Sequence, residues 1–139
     1  MASITADALL EHFHAPRNAG TFPAETPGIA TGRAGAVRHG REIQIQLQVD
    51  EEGRITACRY RVYGCPATIA LCSLASERLP GMTLSEAGEW RAMALAEELA
   101  LPAEKRAAVL VLEDAVRAAV RSYNMSSRPA SAGADTGRA

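Results

Sequence analysis

A strict alternation of apolar and polar residues over positions 42–49 constrains the fold more than any other feature of this chain. The apolar positions are Ile43, Ile45, Leu47 and Val49, and the polar positions between them are Gln44, Gln46 and Gln48. A period of two predicts a strand with one buried face and one wet face. Residues 50–53 follow as a hairpin loop, and residues 54–63 alternate again as the partner strand. The rest of the chain must therefore cover the apolar face of a small antiparallel sheet.

Helical segments on both sides of this hairpin can supply that cover. They are residues 5–14, residues 66–79, a capping box at residues 83–86 that opens a stretch broken near Gly88, and residues 103–123. Residues 29–36 leave room for one short additional strand. A helix, then a small antiparallel sheet, then helices that pack on one face is the order of an α+β domain.

Length and composition fit a single domain. The chain has 139 residues, of which 47% are apolar and 22% are charged, as in ordinary globular proteins. We expect the domain to span residues 1–123. Residues 124–139 are rich in serine, alanine and glycine without an apolar period, which predicts a disordered C-terminal tail.

Charge, hydropathy and cysteine content argue against several function classes. A net charge of −1 disfavours nucleic-acid binding, which needs a basic face. The longest apolar run, residues 107–112, is far shorter than the roughly 20 residues of a membrane span. No basic residue precedes Arg17, so no secretory signal is predicted. Three cysteines without a CxxC pair fit a reducing cytoplasm better than a disulfide framework.

Cys65 is the side chain best suited to chemistry, because it lies where the second strand of the hairpin ends and a helix begins. Unpaired N–H groups and the positive end of the helix dipole favour a thiolate there, and a thiolate is a nucleophile or a soft metal ligand. The alternative is a small residue that fills a tight turn. Cys72 lies about 10.5 Å further along the same helix, too far to share one metal ion with Cys65. Cys72 and Cys58 are therefore predicted to lie in the core.

The histidines offer one further candidate. His39 lies in a loop of glycines and arginines before the alternating strand, where it is either an idle solvent-facing residue or a metal ligand. His12 and His14 are expected on the wet face of the first helix or as caps. One activated cysteine and one histidine do not by themselves name a function.

Several short motifs in colinear order resemble those of the IscU/NifU-type iron–sulfur cluster assembly scaffolds. They are Glu11-His12-Phe13, Pro16-Arg17-Asn18-Ala19-Gly20, Tyr63-Gly64-Cys65, Ala96-Glu97-Glu98-Leu99 and Glu113-Asp114-Ala115. The resemblance spans about residues 9–123 and implies a three-stranded antiparallel sheet with helices on one face. It also implies a scaffold, not an enzyme, that builds a transient 2Fe–2S cluster from iron and from sulfur delivered by a cysteine desulfurase.

The cluster ligands of that family are largely replaced in this chain. His39, Gly40 and Arg41 stand where the family has Cys-Gly-Asp, Cys65 keeps the second cysteine, and Ala107 and Ala108 stand where the family has His-Cys. The resemblance thus implies Cys65 and His39 as the remaining ligands of iron, zinc or a 2Fe–2S cluster, or no metal at all. A fixed cation at Arg41 opposes metal binding and favours a metal-free thiolate at Cys65.

Two ligands from one chain cannot close a tetrahedral site, so three functions remain open. A scaffold with an altered ligand set would need a homodimer, in which Cys65 and His39 of both copies bind the cluster, or a contribution from Glu42. A ligand-depleted paralogue would keep the fold and act as an interaction or regulatory module. A sulfur carrier would use Cys65 alone to accept persulfide sulfur from the desulfurase.

A short segment before the last helix resembles a partner-binding motif. Leu101, Pro102 and Lys105 match the family segment that an Hsp70-type chaperone grips, whereas Ala103 and Glu104 do not match. A glutamate removes apolar contact and adds a charge. These departures argue against chaperone recognition and favour a plain helix entry.

Overall fold

Three antiparallel strands form one sheet in the order β1-β2-β3, which confirms the predicted architecture. The strands are β1 (Ile29–Ala36), β2 (Arg41–Val49) and β3 (Ile55–Tyr63). The computed structural model describes residues 2–126, with side chains between residues 8 and 125. The four apolar residues of the alternating segment are buried, with at most 6% exposure, and the three glutamines between them are half-buried.

Helices cover the apolar face of the sheet from one side. In the part of the chain that the structure describes they are α1 (Ala2–His14), α2 (Pro66–Arg78), α3 (Leu84–Gly88), α4 (Met93–Glu98) and α5 (Ala107–Ser126). α5 packs on β1 and β2, α2 packs on β3, and α1 packs on α2. Among these described helices, none is both long enough and apolar enough to cross a membrane.

The contact between α5 and β1 depends on a glycine. A Cβ atom at Gly32 would lie 2.2 Å from the Ala115 carbonyl oxygen and 2.2 Å from the Ala119 backbone nitrogen. Ala115 and Ala119 are themselves fully buried. The helix backbone therefore approaches the strand as closely as small residues on both sides allow.

The last helix starts and ends later than residues 103–123. Ala103–Lys105 form a separate 3-10 turn, in which the N–H groups of Lys105 and Arg106 donate to the carbonyls of Pro102 (2.9 Å) and Ala103 (3.1 Å). This tighter turn takes the place of a first α-helical turn, so α5 begins at Ala107. α5 also continues through residues 124–126, which were expected in the tail. The remainder of the predicted tail, residues 127–139, lies outside the described residues.

His12 is buried, which corrects the expectation of a wet-face or capping histidine. It is 6% exposed, and its Nδ1 lies 2.7 Å from the Ser73 hydroxyl of α2. The Arg17 backbone N–H donates to the same hydroxyl at 2.8 Å. Burial and the Arg17 charge lower the pKa of His12, so the ring is neutral at physiological pH. His12 thus joins α1 and the loop that follows it to α2.

Candidate functional site

Cys65 lies at the junction of β3 and α2, where the sequence places it. It is the N-cap residue of α2 with an extended backbone (φ −78°, ψ 170°), and Pro66 is the first helical residue. Its carbonyl accepts hydrogen bonds from the N–H groups of Thr68 (2.9 Å) and Ile69 (3.1 Å). The side chain is half-buried. The thiol is therefore open to solvent on one side and adjoins the positive end of a helix on the other.

The surroundings of Cys65 favour its ionised form. Burial raises the pKa of the thiol, but the Thr68 hydroxyl, 3.5 Å from Sγ, and the backbone N–H groups of Thr68 and Ala67 stabilise the thiolate. The positive charge of Lys105 acts in the same direction. The resulting pKa of Cys65 is about 7, well below that of an ordinary thiol, so thiolate is present at neutral pH.

The other two cysteines lie in the core, as predicted. Cys58 is 3% exposed and Cys72 is fully buried. Burial raises the pKa of Cys58 to about 12 and also raises the pKa of Cys72. Both therefore remain protonated thiols at neutral pH, and Cys65 is the reactive one of the three.

Cys65 opens into an apolar groove of about 440 Å³, which we call the Cys65 groove. Its lining residues are Leu9, Leu10, Phe13, Cys65, Pro66, Ala67, Leu101, Pro102 and Lys105. The groove thus brings α1, the start of α2 and the turn before α5 together around the thiol. The three residues that resemble a partner-binding motif, at positions 101, 102 and 105, lie in the same groove as Cys65.

The cation that acts on Cys65 is Lys105, which corrects the expectation that Arg41 would do so. Arg41 is not among the groups that shift the pKa of Cys65. Its Nε is buried and has no hydrogen-bond partner among the described residues. The 3-10 turn before α5 instead carries Lys105 into the groove, a placement that motif matching does not reveal.

His39 lies apart from the groove. It ends the 3-10 turn Val37–His39, is exposed, and is followed by Gly40 in a left-handed conformation (φ 95°), whose N–H donates to the Val37 carbonyl at 2.9 Å. The strand register pairs Glu42 with Tyr63, so the turns that carry His39 and Cys65 lie at the same end of the sheet. His39 and Cys65 therefore lie at the same end of the molecule, but His39 does not line the Cys65 groove.

The described residues do not form a metal site within one chain. Nowhere in this range do three histidine, cysteine, aspartate or glutamate side chains converge on a position for a metal ion. The Glu42 carboxylate is instead 3.6 Å from the Arg33 Nε. At the start of α5, Ala107 is exposed and Ala108 is buried, and their methyl groups offer no ligand atom. Among the residues that line the Cys65 groove, the Cys65 thiolate is the donor available to a soft metal.

Two contributors to the site were not identified from the sequence. Thr68 lies three residues after the N-cap residue Cys65. At this position of a helix the N–H group and the side chain face the N-cap, so the spacing could have identified Thr68 from the sequence. The sequence predicts Lys105 only as part of a possible partner-binding segment. In the same segment Leu101 is 2% exposed, whereas Pro102 and Glu104 are exposed.

Comparisons with known proteins agree with the fold and the motifs. Residues 4–130 match the family described as NifU-like N terminal domain. The chain is 41% identical over 117 residues to the iron-sulfur cluster assembly scaffold protein IscU of Azotobacter vinelandii, covering 84% of this chain and 91% of that protein. The Escherichia coli K12 protein of the same name is 35% identical over 117 residues, with 84% and 91% covered. The solved structure of a NifU-like protein (N-terminal) from Brucella abortus shares the fold, with a TM-score of 0.68 at 18% identity over 88% of this chain and 95% of that one.

Proposed function

Because this chain belongs to the NifU-like N-terminal domain family, we propose that it serves iron–sulfur cluster assembly as a sulfur carrier, whose Cys65 accepts persulfide sulfur from a cysteine desulfurase. One observation carries this proposal: Cys65 has a pKa of about 7 and opens into a groove in which no second metal ligand stands. A cluster scaffold needs several ligands at one place, whereas a sulfur acceptor needs one accessible thiolate.

The transfer requires the Cys65 thiolate and a persulfide donor, and nothing else. The thiolate attacks the terminal sulfur of the desulfurase persulfide, a new S–S bond forms on Cys65, and the S–S bond of the desulfurase breaks. The desulfurase cysteine leaves as a thiolate, and the persulfide proton remains on the transferred sulfur or passes to the leaving thiolate. No electrons are gained or lost overall, so no oxidant or reductant is needed.

The side chains around Cys65 support both the attack and the product. Thr68 and the helix N–H groups stabilise negative charge on the attacking sulfur, and Lys105 is near enough to lower the thiol pKa. When the proton has passed to the leaving thiolate, the persulfide on Cys65 is an anion, and the same groups stabilise this loaded state. The apolar walls of the Cys65 groove keep bulk water from much of its surface, which protects a reactive sulfur from side reactions.

The three free cysteines fit a reducing compartment, and we propose the cytoplasm. In this account the chain acts stoichiometrically, so it is a carrier and not an enzyme. We do not propose that residues 101–105 bind an Hsp70-type chaperone, because Leu101, the first apolar residue of that segment, is buried in the fold.

Incubation with a cysteine desulfurase and cysteine, followed by mass spectrometry of digested peptides, tests the proposal. The expected result is a mass gain of one sulfur atom on the Cys65 peptide without added metal. Cys65→Ser should accept no sulfur, and the Cys58 and Cys72 peptides serve as internal controls that stay unmodified. Sulfur on all three cysteines, or on none, would contradict the proposal.

A second candidate is a cluster or iron site shared by a homodimer, with Cys65 and His39 from each copy. The observation that favours it is the position of both residues at one end of the sheet. Four ligands would then match a tetrahedral or 2Fe–2S requirement. Anaerobic reconstitution with iron and sulfide, with native mass read in parallel, decides this candidate. One cluster per dimer that is lost in His39→Ala supports it, and a metal-free monomer rejects it.

A further inference from the structure

The outer face of the sheet, opposite the helices, is only half covered. The loop after α1 covers the half around Gln46: the Phe22 backbone N–H donates to Gln46 Oε1 at 2.8 Å, and the Arg59 guanidinium lies 5.4 Å from the centre of the Phe22 ring. The other half is open and forms a shallow concavity of about 310 Å³. We call this open half the arginine face, and its lining residues are Arg33, Glu42, Gln44, Arg61, Val62 and Tyr63.

The strand register arranges the arginine face in two rows. Arg33 of β1, Gln44 of β2 and Arg61 of β3 stand side by side in one row. Glu42 and Tyr63 stand side by side in the next row on the same face. Cβ atoms of directly opposed residues on adjacent strands are about 5 Å apart, so the Cβ atoms of Arg33 and Arg61 lie roughly 10 Å from each other, on either side of Gln44.

Positive charge on this face exceeds the negative charge available to neutralise it. Glu42, the acidic lining residue, lies 3.6 Å from Arg33. Arg61 is exposed and forms no ion pair or hydrogen bond with any described residue. Arg38, exposed in the adjoining 3-10 turn, has no such partner in that range either. Because the whole chain has a net charge of −1, this local excess is a property of the face and not of the composition.

We propose that the arginine face binds an acidic segment of a partner protein, whose aspartate or glutamate side chains pair with Arg61 and Arg33. Arginine binds carboxylates through two parallel N–H donors, a geometry that selects planar acidic groups. Tyr63 lies beside them with 54% of its surface exposed and adds apolar contact area. Arginine and tyrosine are the residues that protein interfaces favour as energetic centres.

An acidic protein fits this face better than a nucleic acid does. Even single DNA-binding modules bury roughly 600–1,000 Å² of strongly positive surface. Here two arginines stand next to a carboxylate on one small concavity, and the chain as a whole is slightly acidic. This inference concerns a different face from the Cys65 groove and does not depend on sulfur transfer.

The full chain is titrated with an oligoglutamate peptide at low ionic strength, and binding is monitored by the changes in amide NMR chemical shifts. Shift changes should centre on Arg33, Gln44, Arg61 and Tyr63 and should weaken as salt is added. Arg61→Glu should weaken the peptide at least about tenfold, because attraction becomes repulsion. Arg121→Glu makes the same charge change at an exposed position of α5 and is the matched control.

Each alternative outcome overturns the proposal in a defined way. Equal weakening by Arg61→Glu and Arg121→Glu would mean that only net charge matters. Tighter binding of a short DNA duplex than of the peptide at equal salt would make the face a nucleic-acid surface. A concentration-dependent rise in native mass that Arg61→Glu abolishes would assign the face to a second copy of this chain. The amide spectrum of each variant shows whether it is folded, so loss of binding cannot be mistaken for unfolding.

Discussion

Lys105 and Cys65 line the same groove, and the ammonium group of Lys105 lowers the pKa of the Cys65 thiol although the two residues lie on different elements. The 3-10 turn Ala103–Lys105 and the N-cap of α2 meet there. The segment that the sequence analysis compares with a partner-binding motif is thus, in this chain, part of the environment of the reactive cysteine. The first predictions follow from that pairing.

Removal of the Lys105 charge should make Cys65 less reactive. In Lys105→Met the thiolate loses a favourable charge, so the pKa of Cys65 rises and alkylation by iodoacetamide at pH 7 slows about two- to threefold. Lys105→Arg keeps the charge and should react at close to the wild-type rate. Equal rates for the methionine and arginine variants would show that Lys105 has no electrostatic effect on the thiol.

The Thr68 hydroxyl should matter in the same assay. Thr68→Val removes the donor that lies 3.5 Å from Sγ and should slow alkylation of Cys65. Since Thr68 is fully buried, we also expect a loss of about 1 kcal/mol in the free energy of unfolding. Thr68→Ser retains the hydroxyl and is the control for reactivity. If the serine and valine variants alkylate at the same rate, the hydroxyl does not stabilise the thiolate.

The reactivity of Cys65 should follow its own ionisation. Because a thiol is nucleophilic only when deprotonated, the alkylation rate should rise as pH increases through about 7, the pKa of Cys65, and level off above it. The lowered pKa also means that stability from this thiolate is present at high pH and is lost as pH falls through about 7. A rate that still rises steeply between pH 8 and pH 9, the range of an ordinary thiol, would contradict the assignment.

The close contact between β1 and α5 predicts a large effect of a small substitution. Gly32→Ala places a methyl group 2.2 Å from backbone atoms of α5, which neither element can move away from cheaply. We expect a loss of about 3 kcal/mol in the free energy of unfolding, at the upper end of overpacking costs. Gly88→Ala is the control, because its nearest atom there is 3.8 Å away. Urea denaturation of both variants measures the difference.

Much of the fold follows from local patterns, whereas the composition of the site depends on tertiary contacts. The alternation at residues 42–49 predicts the buried face of β2, and the turn at Pro66 predicts the start of α2 and the position of Cys65 at its N-terminus. Local rules do not predict that His12 contacts Ser73 across two helices, since this depends on how α1 packs. They also place Lys105 inside a helix, because a 3-10 turn and an α-helix share similar residue preferences.

The positions that the sequence resemblance matches to family ligands show the same limit. Motif matching identifies His39 and Arg41 as neighbours of Cys65, and the strand register does place their turn at the same end of the sheet. It does not establish contact, and among the described residues the groups that act on Cys65 come from α2 and from Lys105. The residues that surround the thiol depend on how three separate elements pack together around one groove.

The stoichiometry of sulfur transfer in the presence of excess metal chelator tests the central claim most directly. The protein is incubated with desulfurase and isotopically labelled cysteine, separated from both, and analysed for bound label by intact mass. We predict one labelled sulfur per chain, unaffected by the chelator and absent from Cys65→Ser. Label that appears only when iron is supplied and the chelator is omitted would contradict sulfur carriage and assign Cys65 to a cluster site instead.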